Sequence, residues 1–204
     1  MNRDEAIEAL ELLRSVVRRA RDDTAVQNWG RIWMLHGISN GCGFVATDWL
    51  LWRGHATPMP FVLLWVPILA FNLATVPLLK RRRSGVPSFV EKQIWTIWTS
   101  FVVAVVVMAY LNYFMGLETL FVGPAIAVLA AVAFSSLASI VGPVWYGAAA
   151  VFVAVAVLMS LLPNVQFVIL GVAWAATKVS AGFVLERAKR RRLARTEAAA
   201  PEVV

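Results

Sequence analysis

The chain has 204 residues, of which 60% are hydrophobic and 15% charged, with a mean hydropathy of +0.71. A water-soluble domain carries about 45–50% apolar and about 25% charged residues, so water is excluded as the solvent for most of this chain. The net charge of +7 sits in short basic blocks beside long apolar runs, the pattern of loops flanking membrane spans, and no nucleic-acid partner is expected.

At the N-terminus, residues 4 to 21 place Ala6, Leu10, Leu13, Val17 and Ala20 at helical spacing. Acids come early (Asp4, Glu5, Glu8, Glu11) and arginines late (Arg14, Arg18, Arg19, Arg21), an order that complements the helix dipole. At ~1.5 Å per residue this helix is about 27 Å long. With one charged face it is expected to lie on the cytoplasmic surface within residues 1–28, or to dock there on a protein partner or a second copy. The first residues show no short apolar core with a small-residue cleavage site, so no secretory signal is expected.

From Arg31 onward long apolar segments recur, at roughly 31–52, 60–80, 94–115, 119–140, 144–162 and 166–186. Each has about the 20 residues needed to cross ~30 Å of hydrocarbon. The expectation is an all-α, polytopic bundle of six transmembrane helices over 29–188, arranged as three hairpins in the lipid bilayer. A basic, partly disordered tail follows at 189–204. Tight breaks at Met115-Gly116-Leu117-Glu118, Gly142-Pro143 and Leu162-Pro163-Asn164 predict antiparallel neighbours.

Orientation follows from the cationic loops. Arg14 to Arg31, Lys80-Arg81-Arg82-Arg83 with Lys92, and Arg187 to Arg195 fall on one side, while Arg53 alone marks the other. The cationic side is expected to be cytoplasmic, placing both termini inside a cell membrane. Trp29, Trp33, Trp95, Trp98 and Trp145 fall near the predicted inner ends and Trp49, Trp52 and Trp65 near the outer ones, as an aromatic belt would. Only Trp174 sits mid-span. Similar openings of the odd segments (Ile32-Trp33, Ile94-Trp95, Val144-Trp145) and of the even ones (Phe61-Val62, Phe121-Val122, Phe167-Val168) are compatible with three related hairpins. They are also what any membrane hairpin needs.

Polar residues are the informative ones inside a span, because an unpaired charge there costs at least about 2.5–3.5 kcal/mol. The first segment carries His36, Asn40 and Asp48, the second Asn72 and the sixth Lys178; the third, fourth and fifth carry no charge. At ~1.5 Å per residue, His36 lies about 8 Å from the inner end of its helix, Asn40 about 13 Å, and Asn72 and Lys178 about 12 Å. If these faces point inward they form a cytoplasm-facing pocket, with Lys178 as a cationic centre for a small anionic ligand. The alternative is that Lys178 snorkels to the headgroups while the others bond helix to helix. Asp48 is expected to be hydrated or paired with Arg53. Gly37 and Gly41 form a Gly-x-x-x-Gly that predicts close helix packing, and Pro67, Pro77 and Pro124 are candidate kinks.

Chemistry is otherwise sparse. Cys42 is the single cysteine, and neither Gly-x-Ser-x-Gly, His-Glu-x-x-His nor a phosphate loop occurs, so no enzyme, metal site or cofactor is expected. His36 and His55 fall at opposite ends of the first span and cannot ligate one haem. Two functions compete: a small transporter or channel-like protein, and a non-catalytic scaffold or regulatory subunit that binds a partner through its N-terminal helix. Convergence of the polar side chains on a cavity favours the first; a dry bundle permits the second.

Overall fold

The computed structural model describes residues 29–55, 57–79, 89–116 and 121–198, with side chains to 191, together with Ile7, Glu8 and Leu12. The expected helix over residues 4 to 21 therefore lies outside the described residues except at those three positions, and so does the basic run at Lys80. Six long helices follow in order: α1 (Trp29–Trp52), α2 (Pro58–Leu79), α3 (Phe89–Phe114), α4 (Val122–Val141), α5 (Val144–Leu161) and α6 (Gln166–Ala198). A 3-10 turn, Pro163–Val165, leads into the last of them. No strand occurs among the described residues.

Five of the six, α2 to α6, are long and apolar enough to cross a membrane, which makes this a multi-pass membrane architecture. α1 has 24 residues, ample for a span, but its glycines, His36, Asn40 and Asp48 dilute its apolar character. The expected boundaries shift by a few residues. α3 starts at Phe89 and so takes in Glu91, which is buried. α6 continues through Ala188, Lys189, Arg190 and Arg191 as far as Ala198, a stretch rich in strong helix formers. Gly142 has φ +148°, a conformation that costs glycine little, and lets α4 turn into α5 within two residues.

Packing does not follow the chain order of hairpins. The most extensive contact joins the first helix to the last, followed by α4 with α5; α2 makes its substantial contacts with α1 alone. The α1–α6 seam is built of small residues. A Cβ on Gly30 would strike the carbonyl of Gly182, one on Gly37 would lie 2.7 Å from Lys178 Cβ, and one on Gly41 would lie 2.9 Å from Ala175 Cβ. On α6, a Cβ on Gly171 would lie 2.7 Å from the carbonyl of Gly41. The pairs run in opposite directions along the two helices, so these helices are antiparallel. The packing role expected of Gly37 and Gly41 corresponds to this seam, where backbones approach as closely as side chains elsewhere.

Beside the seam lies an aromatic core. Trp33, Phe134, Trp145, Phe152 and Trp174 are all buried, with Trp33 to Trp145 at 4.8 Å and Phe134 to Phe152 at 5.2 Å between centroids. The belt expected at the inner end is thus corrected: Trp29, Trp33 and Trp145 turn into the bundle, because neighbouring rings bury more of their surface than a headgroup region covers. Trp49 and Trp52 do remain exposed, and Arg53 lies over both rings. Of the two expectations for Asp48, hydration is compatible with its half-buried position, and pairing with Arg53 is corrected. It pairs not with Arg53 but with the start of α6, where its carboxylate accepts from the Val168 backbone N–H at 3.3 Å, a position the helix dipole favours for an anion. Pro124 stands in the first turn of α4 and removes no helical hydrogen bond. Pro67 and Pro77 are interior to α2.

The glycine seam predicts a steep steric response. Gly41→Val and Gly171→Val should each cost about 1–3 kcal/mol through overpacking, read as a lowered melting temperature in detergent. Gly147→Ala, where a Cβ meets nothing within 4 Å, should leave it unchanged. Equal melting temperatures for all three variants would contradict the seam.

Candidate functional site

α1 presents two separate stripes to its neighbours. His36, Ser39, Asn40, Gly43 and Thr47, which fall on one helical face, turn to α2; Gly30, Gly37, Gly41 and Asp48 face α6. The first stripe makes a polar network. The Asn72 amide donates to Asn40 Oδ1 at 2.5 Å and accepts from Ser39 Oγ at 2.6 Å. His36 Nε2 lies 3.0 Å from the Asn72 carbonyl and 2.9 Å from Thr75 Oγ1, while Thr75 itself donates to that carbonyl at 2.8 Å. A carbonyl accepts only, so His36 carries its proton on Nε2 and shares it between the two oxygens. Two turns further on, the Trp65 indole donates to Thr47 Oγ1 at 3.0 Å, and Thr47 donates to the carbonyl of Gly43. Three of the four residues expected to converge, His36, Asn40 and Asn72, therefore do so, with Ser39 and Thr75 as members the sequence reading passed over.

Lys178 lies on the other side of α1. Its Cβ packs on Gly37, and its ammonium sits among three indoles: 3.6 Å from the ring centre of Trp98, 4.7 Å from Trp33 and 5.1 Å from Trp174. The side chain is 5% exposed, which rules out the snorkelling geometry. Three helices build this enclosure: Trp33 from α1, Trp98 from α3, and Trp174 one turn before Lys178 on α6. Among the described residues no carboxylate forms an ion pair with it; the ion pair present, Arg31 with Glu186 at 3.7 Å, lies beyond Gly30 and Gly182 at the end of the seam. Cation–π contacts, each worth up to about 2 kcal/mol when desolvated, are what offset the burial of the charge. The indole N–H groups of Trp98 and Trp174 are buried and have no acceptor.

Two open surface depressions lie elsewhere. An open apolar groove of about 570 Å³ runs along α1 and α6 beside Ile38, Cys42, Trp49 and Val172, and a smaller one of about 340 Å³ lies between Met108, Asn112 and Phe121. Neither is lined by His36, Asn40, Asn72 or Lys178. Among the described residues no three His, Cys, Asp or Glu side chains gather as metal ligands would. Comparison with family models, with curated proteins and with solved structures finds no match, so any function rests on the chemistry of these residues.

The polar network predicts that Asn72 is its keystone. Asn72→Leu, which removes the bonds to both Ser39 and Asn40 at similar volume, should lower stability by about 1–2 kcal/mol. Asn40→Ala should cost less. Denaturation of the detergent-solubilised variants measures both, and an Asn72→Leu protein as stable as the parent would show that the network contributes nothing.

Proposed function

We propose that this chain is a six-span transporter or channel-like protein for a small anion, with Lys178 as its fixed positive charge and both termini in the cytoplasm. The observation that carries the reading is Lys178 itself: a cation nearly sealed within apolar helices, with tryptophans rather than a carboxylate around it. A charge so placed is expensive, and proteins that keep one at such depth use it for a pathway, a relay or a counter-ion. The neighbouring helix arrangement supports movement around it. α2 leans on α1 alone and contains Pro67 and Pro77, whose missing N–H groups leave the carbonyls of Leu63 and Leu73 without their helical partners. Displacement of α2 would unfasten His36, Asn40 and Asn72 together, exchanging a closed polar seam for an open one on the cytoplasmic side.

α1 serves as the sixth span in this reading, since its polar side chains are consumed by α2 and α6 rather than offered to lipid. The second reading, a non-catalytic scaffold or regulatory subunit, draws support from one observation: His36 and Asn40 bond to Asn72 across the α1–α2 interface, as purely structural polar residues do. In that case residues 4 to 21 would hold the partner.

Two measurements test the proposal. In proteoliposomes, anion efflux by the wild type should fall about tenfold or more in Lys178→Met, the loss of one charge-assisted contact; absence of any flux in the wild type favours the scaffold. For topology, a His55→Cys variant on a Cys42→Ser background should react with an impermeant maleimide added outside intact cells. Labelling only after lysis would reverse the orientation or remove α1 from the spans.

A further inference from the structure

Resting on the anion reading above and narrowing it, we infer that the Trp33, Trp98 and Trp174 enclosure around Lys178 is a binding site for a weakly hydrated monovalent anion, of the chemistry of thiocyanate, nitrate or a small monocarboxylate. The first ground is a local surplus of donors. The ammonium and the indole N–H groups donate and do not accept; Lys178 is 5% and Trp174 3% exposed, and the N–H groups of Trp98 and Trp174 have no acceptor. The Trp98 and Trp174 rings stand 6.1 Å apart, and the ammonium lies beside both. A species that only accepts would answer these two N–H groups and the ammonium together.

Charge sets the valence. Of the titratable groups on the elements packed around Lys178, Arg31 and Glu186 answer each other at the end of the seam, Asp48 is engaged at the start of α6, and on α3 Glu91 is buried and Lys92 exposed about two turns before Trp98. His36 is turned to α2. The Lys178 ammonium is the cation that stands among the three rings, and a dianion such as sulfate would bring a second negative charge into an apolar interior.

The walls set the hydration. Around the ammonium stand Trp33, Trp98 and Trp174, and behind them Phe101, Phe134 and Phe152. Aromatic carbon cannot replace the water shell of a small or multiply charged anion, so only an anion that releases its water cheaply gains by entering. Ring geometry agrees. The ammonium occupies the electron-rich face of Trp98 at 3.6 Å, whereas the ring edges, which carry the N–H and the positive end of the quadrupole, suit an anion. Binding then replaces a cation–π contact with an ion pair, the ammonium turning from the ring face toward the guest.

The test uses the full chain purified in detergent, with sodium thiocyanate, nitrate, chloride, sulfate and phosphate at matched ionic strength. Melting temperature is compared between wild type and Lys178→Met, so that salt effects common to both cancel. Thiocyanate and nitrate should raise the wild type relative to the variant in a saturable manner, and sulfate and phosphate should not. Trp174→Phe keeps the ring and removes one donor; it should weaken the apparent affinity about tenfold, and it carries the test if Lys178→Met does not fold. Equal shifts in wild type and both variants would overturn the inference. So would a ranking led by sulfate, or stabilisation by tetramethylammonium instead, which would make the three rings a cage for cations. Anion binding with this ranking in a protein that gives no flux would leave the site standing and remove the transport reading. Flux that persists undiminished in Lys178→Met, with no anion-dependent difference in melting temperature, would keep transport and remove Lys178 and this site from it.

Discussion

The contact on which the rest of the bundle depends is the approach of two backbones, α1 to α6, across Gly30, Gly37, Gly41, Gly171 and Gly182. In lipid there is no hydrophobic force to drive apolar helices together, so dispersion between closely fitted surfaces and a few interhelical hydrogen bonds must do it. Removing the side chains at these five positions brings α1 close enough to α6 for Lys178 to rest its stem on Gly37. The same approach puts Trp33 within reach of Trp98, Phe134 and Trp145. Enlarging any of the glycines would shift the ammonium and the aromatic core together, which makes the seam and the candidate site one mechanical unit.

α1 reconciles three demands that a uniformly apolar helix could not. One face offers glycine to α6, a second offers hydrogen-bonding groups to α2, and a third inserts Trp29 and Trp33 toward α3, where Trp29 meets Trp95 and Trp33 meets Trp98. Its neighbours differ accordingly. α4 and α5 pack through alanines such as Ala127, Ala130, Ala149 and Ala156, whereas α2 and α3 keep most of their surface outward, only 6% of the α3 span being buried against 44% of α4. The bundle is therefore a tight body of α1, α4, α5 and α6 with two thinly attached helices beside it.

Much of this could be read from the residues in order. Helix number and approximate bounds followed from apolar length and from breakers such as Gly142 and Pro163, because crossing hydrocarbon leaves a composition signal that needs no tertiary knowledge. Counting depth along each helix brought His36, Asn40 and Asn72 to one level, and they do meet. Gly37 and Gly41 announced close packing, though not that the partner would be the last helix. The tryptophans misled. Preference for the interface is a tendency of isolated rings, and it gave way where Trp33 and Trp145 found each other, a pairing visible only once α1 and α5 are side by side. The enclosure of Lys178 was illegible for the same reason, since its three rings come from residues 33, 98 and 174, on three helices whose adjacency no local pattern encodes. Asp48 was expected to be hydrated or paired with Arg53, and its bond to the start of α6 was not foreseen, since residues 48 and 168 meet only in space.

The seam between first and last helix also bears on how the chain is made. α1 is synthesised well over a hundred residues before its principal partner, and contacts of such separation form late. Until α6 emerges, the glycine face of α1 has only lipid against it, and the polar stripe has only α2. The bonds of His36, Ser39 and Asn40 with Asn72 and Thr75, by contrast, need only α1 and α2 and can form before α6 is made. The burial of Lys178 among rings from α1, α3 and α6 must therefore await α6.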